Sequence, residues 1–225
     1  MTSVKIHYHT KLGQGSYGAV YACTVRSNGA KRFKQKYCIK LASSSHLHQQ
    51  ILRAECETAY RLRGVDRCVR VEGIYTEKSK PGMVMERLDE TMRDLIQRAC
   101  TDLTSDEQKL EILQWSANEL VLALLSMHNA GVTHGDIKLS NIGCSTSTRR
   151  DAQRPWKSCI VRMIDFGGSE CALSAGTYPL KAANWSTNPE QLLMGDTRLD
   201  ESILYRRNDW FQTLMVIFDI AHRVC

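Results

Sequence analysis

The sequence predicts an α+β protein whose N-terminal part is rich in strands and whose C-terminal part is mainly helical. Alternating and turn-separated apolar runs dominate the chain up to about residue 86, whereas apolar residues recur at helical spacing after Leu88. The 225 residues are 43% hydrophobic and 24% charged, which is typical of globular proteins. We therefore expect two parts, residues 1–86 and 87–225.

The N-terminal part is predicted to contain five strands and one helix. The segment KIHYHTKLG alternates, and AVYACTVRSNGAKRFKQKYCIKLA predicts two strands joined by a turn at Asn28–Gly29. Helical periodicity follows in HLHQQILRAECETAYRLRG and stops at Gly64. Two further strands, CVRVEGIY and GMVMERL, are expected to flank a turn at Lys78–Gly82.

The C-terminal part is predicted to be formed mainly by three helices. DETMRDLIQRAC predicts a short helix, and a long helix should begin at a cap on Thr104 or Ser105 and end at Gly131. CIVRMID is a short β-type run, and RNDWFQTLMVIFDIAHRVC predicts a strongly apolar helix at the end of the chain.

Composition excludes several protein classes. The nine cysteines are odd in number and form no C-x-x-C pair, which argues against a disulfide scaffold or a zinc site and for a reducing compartment. The N-terminus has no apolar signal core, and the apolar stretch around Leu120–Leu125 is too short to cross a bilayer. We expect an intracellular protein, cytoplasmic or nuclear, that does not enter a membrane.

The net charge of +6 is concentrated in a few basic clusters, around Arg26–Lys40, Arg61–Arg70 and Arg149–Lys157. Such clusters are usual on solvated loops and helix faces, and they also attract acidic substrates. Aromatic residues do not interleave them as a base-stacking surface requires, so nucleic-acid binding is not favoured.

Three glycines in LGQGSYGAVY, at positions Gly13, Gly15 and Gly18, have the spacing G-x-G-x-x-G. A dinucleotide-binding fingerprint has the same spacing but is followed by a helix, whereas here a β-type run follows. Glycines between two strands suit a flap whose backbone N–H groups cover a triphosphate. A plain glycine-rich hairpin is the alternative.

Lys40 ends the strand-like segment YCIK and is a candidate for neutralising phosphates, although a strand lysine can also simply point to solvent. In that functional interpretation a carboxylate from the following helix holds the lysine. Glu55 lies on the apolar face of this helix and Glu57 lies off it. We therefore predict that Glu55 is the partner, with Glu57 as the open alternative.

The segments HGDIKLSN and MIDFGG supply the remaining groups that phosphoryl transfer needs. Asp136 can orient an attacking hydroxyl and accept its proton, and Lys138 can neutralise the transferring group. Asn141 and Asp165 are hard oxygen ligands suited to Mg²⁺. Each residue alone would be an ordinary polar surface residue, but their ordered combination with the glycines and Lys40 indicates phosphoryl transfer.

These motifs resemble the eukaryotic-type protein kinases of the serine/threonine class. The glycine loop, strand lysine, helix glutamate, catalytic loop and D-F-G occur in the order of that family. TNPEQLL (Thr187–Leu193) stands at the place of A-P-E, and DWFQTL (Asp209–Leu214) is similar to the start of the family's F helix. The resemblance implies a bilobal fold with a β-rich N-lobe, residues 1–86, and a helical C-lobe, residues 87–225.

The resemblance also implies ATP, Mg²⁺ and a protein hydroxyl as acceptor, and it implies the residues that bind ATP. Met85 would be the gatekeeper, Glu86–Leu88 the adenine-binding hinge, and Val20 and Cys38 would flank the adenine. The full set of implied ATP-binding residues is Leu12, Gly13, Gly15, Gly18, Val20, Cys38, Lys40, Glu55, Met85, Glu86 and Leu88.

The sequence departs from the family pattern in several places. Gly135 replaces the arginine of H-R-D, Asn188 replaces the alanine of A-P-E, and the basic segment near Arg149–Lys157 predicts an inserted loop. The chain stops within the F helix, so the expected C-lobe is truncated and lacks the arginine that pairs with Glu190. H-G-D-I-K also occurs in some viral kinases, which suggests a viral origin.

Two other functions share part of this pattern. Small-molecule phosphotransferases of the aminoglycoside or choline kinase type also favour H-G-D, but they generally lack the glycine flap and an A-P-E-like segment. A pseudokinase scaffold usually loses the lysine or an aspartate, all of which are present here, but the short C-lobe keeps this alternative open.

The last helix predicts an interaction surface. Trp210–Ala221 is apolar on nearly all sides, and within this chain only the long helix and the catalytic loop can cover it. One apolar flank should remain open, and such a flank normally marks an interface or an incomplete domain. We expect either that the 225 residues are a piece of a longer protein or that a partner, which can be a second copy of the chain, covers this flank.

Overall fold

A computed structural model of the chain describes residues 4–15, 18–27, 37–77, 80–103, 105–146, 154–171 and 201–224. The chain divides into two compact units. The first contains Met1–Arg63 and Val69–Leu88, and the second contains Gly64–Cys68 and Asp89–Cys225. The first unit is a sheet with one helix and the second is mainly helical, so the predicted α+β class is confirmed.

The first unit is built on a five-stranded antiparallel sheet with the strand order β1-β2-β3-β5-β4. Its small apolar core is centred on Cys23, Ile39 and Val84. The strands are β1 Val4–Gly15, β2 Gly18–Ser27, β3 Tyr37–Ala42, β4 Val71–Glu77 and β5 Lys80–Glu86. The predicted turn at Asn28 and Gly29 lies outside the described residues.

Helix α1, His46–Arg61, packs on β4 and β5. Its buried positions are Leu52, Glu55, Cys56 and Ala59, which recur at the spacing of one helical face. The chain leaves the helix at Leu62 and passes through Gly64, whose positive φ of 90° favours glycine. The predicted helix and its end are therefore observed.

The turn expected over residues 78–82 is wrong in its second half. Strand β5 begins at Lys80, and Pro81 pairs with Thr76 of β4. On its other side, β5 pairs with β3 only from Gly82 onwards. Pro81 therefore needs no N–H for a bond to β3, which is why a strand can contain proline here. Residues 78 and 79 lie outside the described part of the chain.

The second unit contains three described helices: α2 Met92–Asp102, α3 Asp106–Asn129 and α4 Glu201–Val224. Helices α2 and α3 both pack on α4. Short strands surround them in two antiparallel groups, β6-β8-β9 and β7-β10. These strands are β6 Glu90–Thr91, β7 Val132–Thr133, β8 Ile142–Thr146, β9 Cys159–Met163 and β10 Glu170–Cys171.

Local capping explains where α2 and α3 begin. Thr91 and Asp94 form a reciprocal capping box at α2, and the Ser105 hydroxyl accepts a hydrogen bond from the amide of Gln108 at α3. Of the two predicted caps for α3, Ser105 is the one observed, and Thr104 lies outside the described residues. Gly131, with a φ of 75°, follows the end of α3.

Part of the basic segment near Arg149–Lys157 packs against α3. Trp156 lies in a short 3-10 turn, Pro155–Ser158, and is only 1% exposed. Glu111 of α3 forms ion pairs with Arg154 at 2.8 Å and with Lys157 at 3.3 Å. These two basic residues are therefore structural partners of Glu111. Residues 147–153 of the predicted insertion lie outside the described residues.

Helix α4 begins at Glu201, earlier than the sequence pattern predicted, and has two different faces. Val216, Ile220 and Val224 are buried, as are four polar residues of its N-terminal half: Asn208, Asp209, Gln212 and Thr213. An exposed apolar flank consists of Trp210, Leu214 and Phe218, which follow one another at intervals of four residues. The partner expected for this flank stays a prediction.

Seven cysteines in the described part of the chain are free thiols, five of them buried: Cys23, Cys38, Cys56, Cys68 and Cys144.

In the described part of the chain, no helix combines the length and the apolar character needed to span a bilayer.

Trp156 offers a test of how the insertion is held. Its indole N–H has no hydrogen-bond partner among the described residues. Because Trp156→Phe removes an unpaired buried donor but also part of the buried ring system, we expect a moderate cost of about 1–2 kcal/mol in the free energy of unfolding. Trp156→Ala should cost about 3–5 kcal/mol. Urea denaturation measures both values, and equal costs would contradict the buried, unpaired N–H.

The buried thiols predict that the fold weakens at alkaline pH. Burial raises the pKa of Cys38 and of Cys68 from the ordinary 9.0 to about 12. Because the folded pKa lies above the unfolded one, the stabilisation is complete below pH 9 and is lost as the pH rises towards 12. Each such thiol should lower the free energy of unfolding by about 1.4 kcal/mol per pH unit in this window.

The matching measurement is the free energy of unfolding between pH 9 and 10.5 for the wild type and for Cys68→Ala. The variant should show a slope that is shallower by about 1.4 kcal/mol per pH unit. An unchanged slope would show that Cys68 titrates at its ordinary pKa in the folded protein.

Candidate functional site

In the first unit, Lys40 and Glu55 form an ion pair between β3 and α1. The Lys40 Nζ on β3 lies 2.7 Å from both carboxylate oxygens of Glu55 on α1. The Lys40 side chain is 12% exposed and that of Glu55 only 2%. Glu57 is exposed on the outer face of the same helix. The structure thus pairs Lys40 with Glu55, the residue that helical periodicity favoured.

Burial makes this pair interdependent. A charge held in a poorly solvated position is costly unless its partner remains, so removing either residue leaves the other uncompensated. The two hydrogen bonds to both oxygens also orient the ammonium group. Lys40 is therefore a fixed positive charge rather than a mobile surface lysine.

The glycine-rich segment connects β1 and β2. Gly13 pairs with Val20 and Gly15 with Gly18, while residues 16 and 17 lie outside the described residues. Only Gly18 is required by packing, because a Cβ there would lie 2.0 Å from the carbonyl oxygen of Leu41. A Cβ at Gly13 would meet nothing within 4 Å. Among the described residues, the first glycine therefore has no packing role.

The predicted hinge residues close the end of β5. Met85 is buried and pairs with Cys38 of β3. The Cys38 thiol donates a weak hydrogen bond of 3.5 Å to the carbonyl of Glu86, while the Glu86 carboxylate accepts a hydrogen bond from the backbone N–H of Arg70 at 2.8 Å. Leu88 is the last residue of the first unit. Of the other predicted adenine neighbours, Val20 is half-buried and Leu12 is exposed.

In the second unit, three predicted residues meet in the loop between β7 and β8. One carboxylate oxygen of Asp136 lies 2.7 Å from the Lys138 Nζ and 2.9 Å from the Asn141 Nδ2. Asn141 Nδ2 also donates to the backbone oxygen of Asp136 at 3.0 Å. The amide NH₂ of Asn141 is therefore committed to Asp136, and its amide oxygen is the atom it can offer to a metal ion.

Asp165 follows β9 in a left-handed conformation, with φ 63° and ψ 66°, and its side chain is exposed. Such a conformation is strained for a residue other than glycine and is common at functional sites. The amide of Ile164 donates a hydrogen bond to the carbonyl of Asn141 at 3.0 Å, which joins the two chain segments. Asn141 and Asp165 supply oxygen donors, and this chemistry fits Mg²⁺.

The loop that carries Asp136 is held by hydrogen bonds to side chains of α4. The buried Asp209 carboxylate accepts hydrogen bonds from the backbone N–H groups of His134 and Gly135, both at 2.8 Å. It also accepts a hydrogen bond of 2.9 Å from the buried His128 side chain. The side chain of Gln212 accepts from the amide of Ile137 at 2.7 Å. Sequence reasoning assigned no role to these helix residues.

The motif signal for Asp209 was present in DWFQTL, but its function depends on contacts 75 positions away along the chain. No role was assigned to His134 from the sequence either. Its ring packs on Phe166 with centroids 5.4 Å apart, and its Nε2 donates to the carbonyl of Ile164 at 3.0 Å. His134 therefore connects the loop that carries Asp136 to the segment that precedes Asp165. The A-P-E-like residues Thr187–Leu193, with Asn188 and Glu190, lie outside the described residues.

Comparison with known proteins identifies relatives of this chain. The mouse (Mus musculus) protein named cyclin-dependent kinase-like 4 is 24% identical over 194 residues, which are 86% of this chain and 51% of the mouse protein. A rice (Oryza sativa subsp. japonica) calcium-dependent protein kinase 10 is 28% identical over 157 residues, 70% of this chain and 24% of its own length. The chain thus spans about half or less of these relatives.

These relatives are animal and plant proteins, so the motif H-G-D-I-K does not need the viral origin that the sequence suggested. The family model described as protein kinase domain matches residues 6–204, which include both the Lys40–Glu55 pair and the Asp136 loop. The match covers most of the chain, and the chain therefore belongs to the protein kinase family.

Proposed function

We propose that this chain catalyses the ATP- and Mg²⁺-dependent transfer of the γ-phosphoryl group to serine or threonine hydroxyls of proteins. The observation that carries the proposal is the cluster of Asp136, Lys138 and Asn141, in which a half-buried carboxylate is oriented by two donors. The family match and the names of the relatives support a protein as the acceptor.

In this proposal the second unit prepares the acceptor. Asp136 orients the substrate hydroxyl and accepts its proton as the oxygen attacks phosphorus. Lys138 holds a positive charge beside Asp136, where negative charge builds up on the transferring group. Asn141 keeps the carboxylate in place, because its NH₂ group bonds both to the side chain and to the backbone of Asp136.

In this proposal the phosphates are neutralised by charged side chains and by Mg²⁺. Lys40, oriented by Glu55, binds the α and β phosphates. Asn141 and Asp165 would hold Mg²⁺, which would supply positive charge against the phosphates. The backbone N–H groups of the segment that begins at Gly13 cover the triphosphate, and Met85, Glu86 and Leu88 contact the adenine.

Two alternatives make different predictions. A small-molecule phosphotransferase shares H-G-D with this chain, and a pseudokinase would bind nucleotide without transferring phosphate. We expect the purified chain to transfer radiolabelled phosphate from Mg·ATP to a basic protein acceptor, and not to small alcohols, with the activity abolished in Lys40→Met. Transfer to the alcohols alone would favour the first alternative, and nucleotide binding without any transfer the second.

The two aspartates should fail in different ways. Asp136→Asn should reduce turnover by ~10²–10⁴-fold, the contribution of a positioned base, while ATP affinity is largely kept. Asp165→Asn should instead remove the part of ATP affinity that depends on Mg²⁺. Steady-state kinetics with binding titrations, with and without Mg²⁺, separates the two. If both variants lose ATP affinity equally, this division of roles is wrong.

The ion pair of Lys40 and Glu55 in the first unit should act as one functional unit. Lys40→Met and Glu55→Gln should each lower kcat/KM strongly, and the double variant should be little worse than either alone, because the two residues act as a unit. Glu57→Gln is the matched control, since it removes the same charge from the exposed face of the same helix. Activity lost in Glu57→Gln and kept in Glu55→Gln would refute the pairing.

A further inference from the structure

Gly135 occupies a place where no side chain fits. Its φ is +77°, and a Cβ built on its backbone would lie 2.6 Å from the carbonyl oxygen of Gly168 and 3.3 Å from the carbonyl carbon. Real Cβ atoms essentially never approach a backbone oxygen so closely. The catalytic loop and the segment that follows Asp165 therefore touch through their backbones at these two glycines.

The backbone of Gly135 cannot turn away from this contact without losing hydrogen bonds on both of its sides. Its N–H donates to Asp209 at 2.8 Å, and its carbonyl accepts from the Gln212 side chain at 3.2 Å. Both partners are buried in α4. Relief of a clash at Gly135 must therefore come from movement of Gly168.

Gly168 is separated from Asp165 by only one tight turn. Residues Phe166–Gly168 form a 3-10 turn closed by a hydrogen bond of 3.0 Å from the Ser169 amide to the Phe166 carbonyl. The Ser169 hydroxyl also donates to the carbonyl of His134 at 3.2 Å. A displacement of Gly168 away from the loop should therefore shift the whole turn and, with it, Asp165, the residue that directly precedes the turn.

We propose that Gly135 is a positioning residue for Asp165: the absence of its side chain lets the turn Phe166–Gly168 dock directly on the catalytic loop and so places the metal-binding carboxylate. This inference rests on the proposed function, in which Asp165 holds Mg²⁺. It also gives a reason for the departure from H-R-D, because an arginine here would bring a Cβ into the Gly168 carbonyl. The docking combines the backbone contact between Gly135 and Gly168 with the hydrogen bond from the Ser169 hydroxyl to the His134 carbonyl.

The test compares Gly135→Ala with Gly131→Ala. Both glycines have nearly the same positive φ, +77° and +75°, so both variants carry the same backbone strain. A Cβ at Gly131 meets nothing within 4 Å, so only Gly135→Ala creates the clash. The readouts are the Mg²⁺ concentration for half-maximal nucleotide binding and the affinity for metal-free ATP.

Gly135→Ala should raise the Mg²⁺ concentration for half-maximal binding by ~10-fold or more, the usual effect of disturbing a group that orients a metal ligand, with metal-free ATP affinity unchanged. Gly131→Ala should match the wild type in both readouts. A folded Gly135→Ala protein with the Mg²⁺ dependence of the wild type would overturn the proposal.

Two further outcomes are decisive. If Gly135→Ala does not fold, Gly168→Ala replaces it, because its Cβ would lie at a milder 3.2 Å from the His134 carbonyl oxygen. It should shift the Mg²⁺ requirement in the same direction by a smaller factor, and no shift would overturn the proposal. If the wild type binds Mg·ATP without transferring phosphate, the proposed function fails while these binding readouts still decide the role of Gly135.

Discussion

The buried carboxylate of Asp209 is the contact on which the second unit depends. It is fully buried and accepts hydrogen bonds from the amides of His134 and Gly135 and from the His128 ring. Buried N–H groups that lose their acceptors are costly, and a buried carboxylate without donors is more so. Helix α4 and the loop that carries Asp136 therefore stabilise each other.

The contacts of this loop with α4 account for the arrangement of Asp136, Lys138 and Asn141. Because the amides of Gly135 and Ile137 are bound to α4, Asp136 between them has little freedom, and Lys138 and Asn141 then orient its carboxylate. In the first unit, burial of Glu55 fixes Lys40 in the same sense. Each unit thus carries preoriented charges, which is the condition under which electrostatic catalysis is effective.

Features set by local periodicity could be predicted from the sequence. The choice of Glu55 followed from the apolar face of one helix, which is a property of neighbouring residues. The role of Asp209 could not be predicted, because it depends on a loop distant in sequence. The burial of Trp156 could not be predicted, because the surrounding segment is basic in sequence and packs on α3 through a tertiary contact in which Glu111 pairs with Arg154 and Lys157. From the sequence, Gly135 was interpreted only as a replacement for the arginine of H-R-D. Its close approach to Gly168 depends on the three-dimensional fold and could not be predicted.

The claim that α4 holds the catalytic loop is tested most directly by amide hydrogen exchange in Asp209→Asn. Asp219→Asn is the control, because Asp219 lies on the same helix and pairs only locally with Arg223. This role of α4 predicts faster exchange at the amides of His134 and Gly135 in Asp209→Asn and wild-type exchange in the control. Wild-type protection of both amides in Asp209→Asn would contradict it.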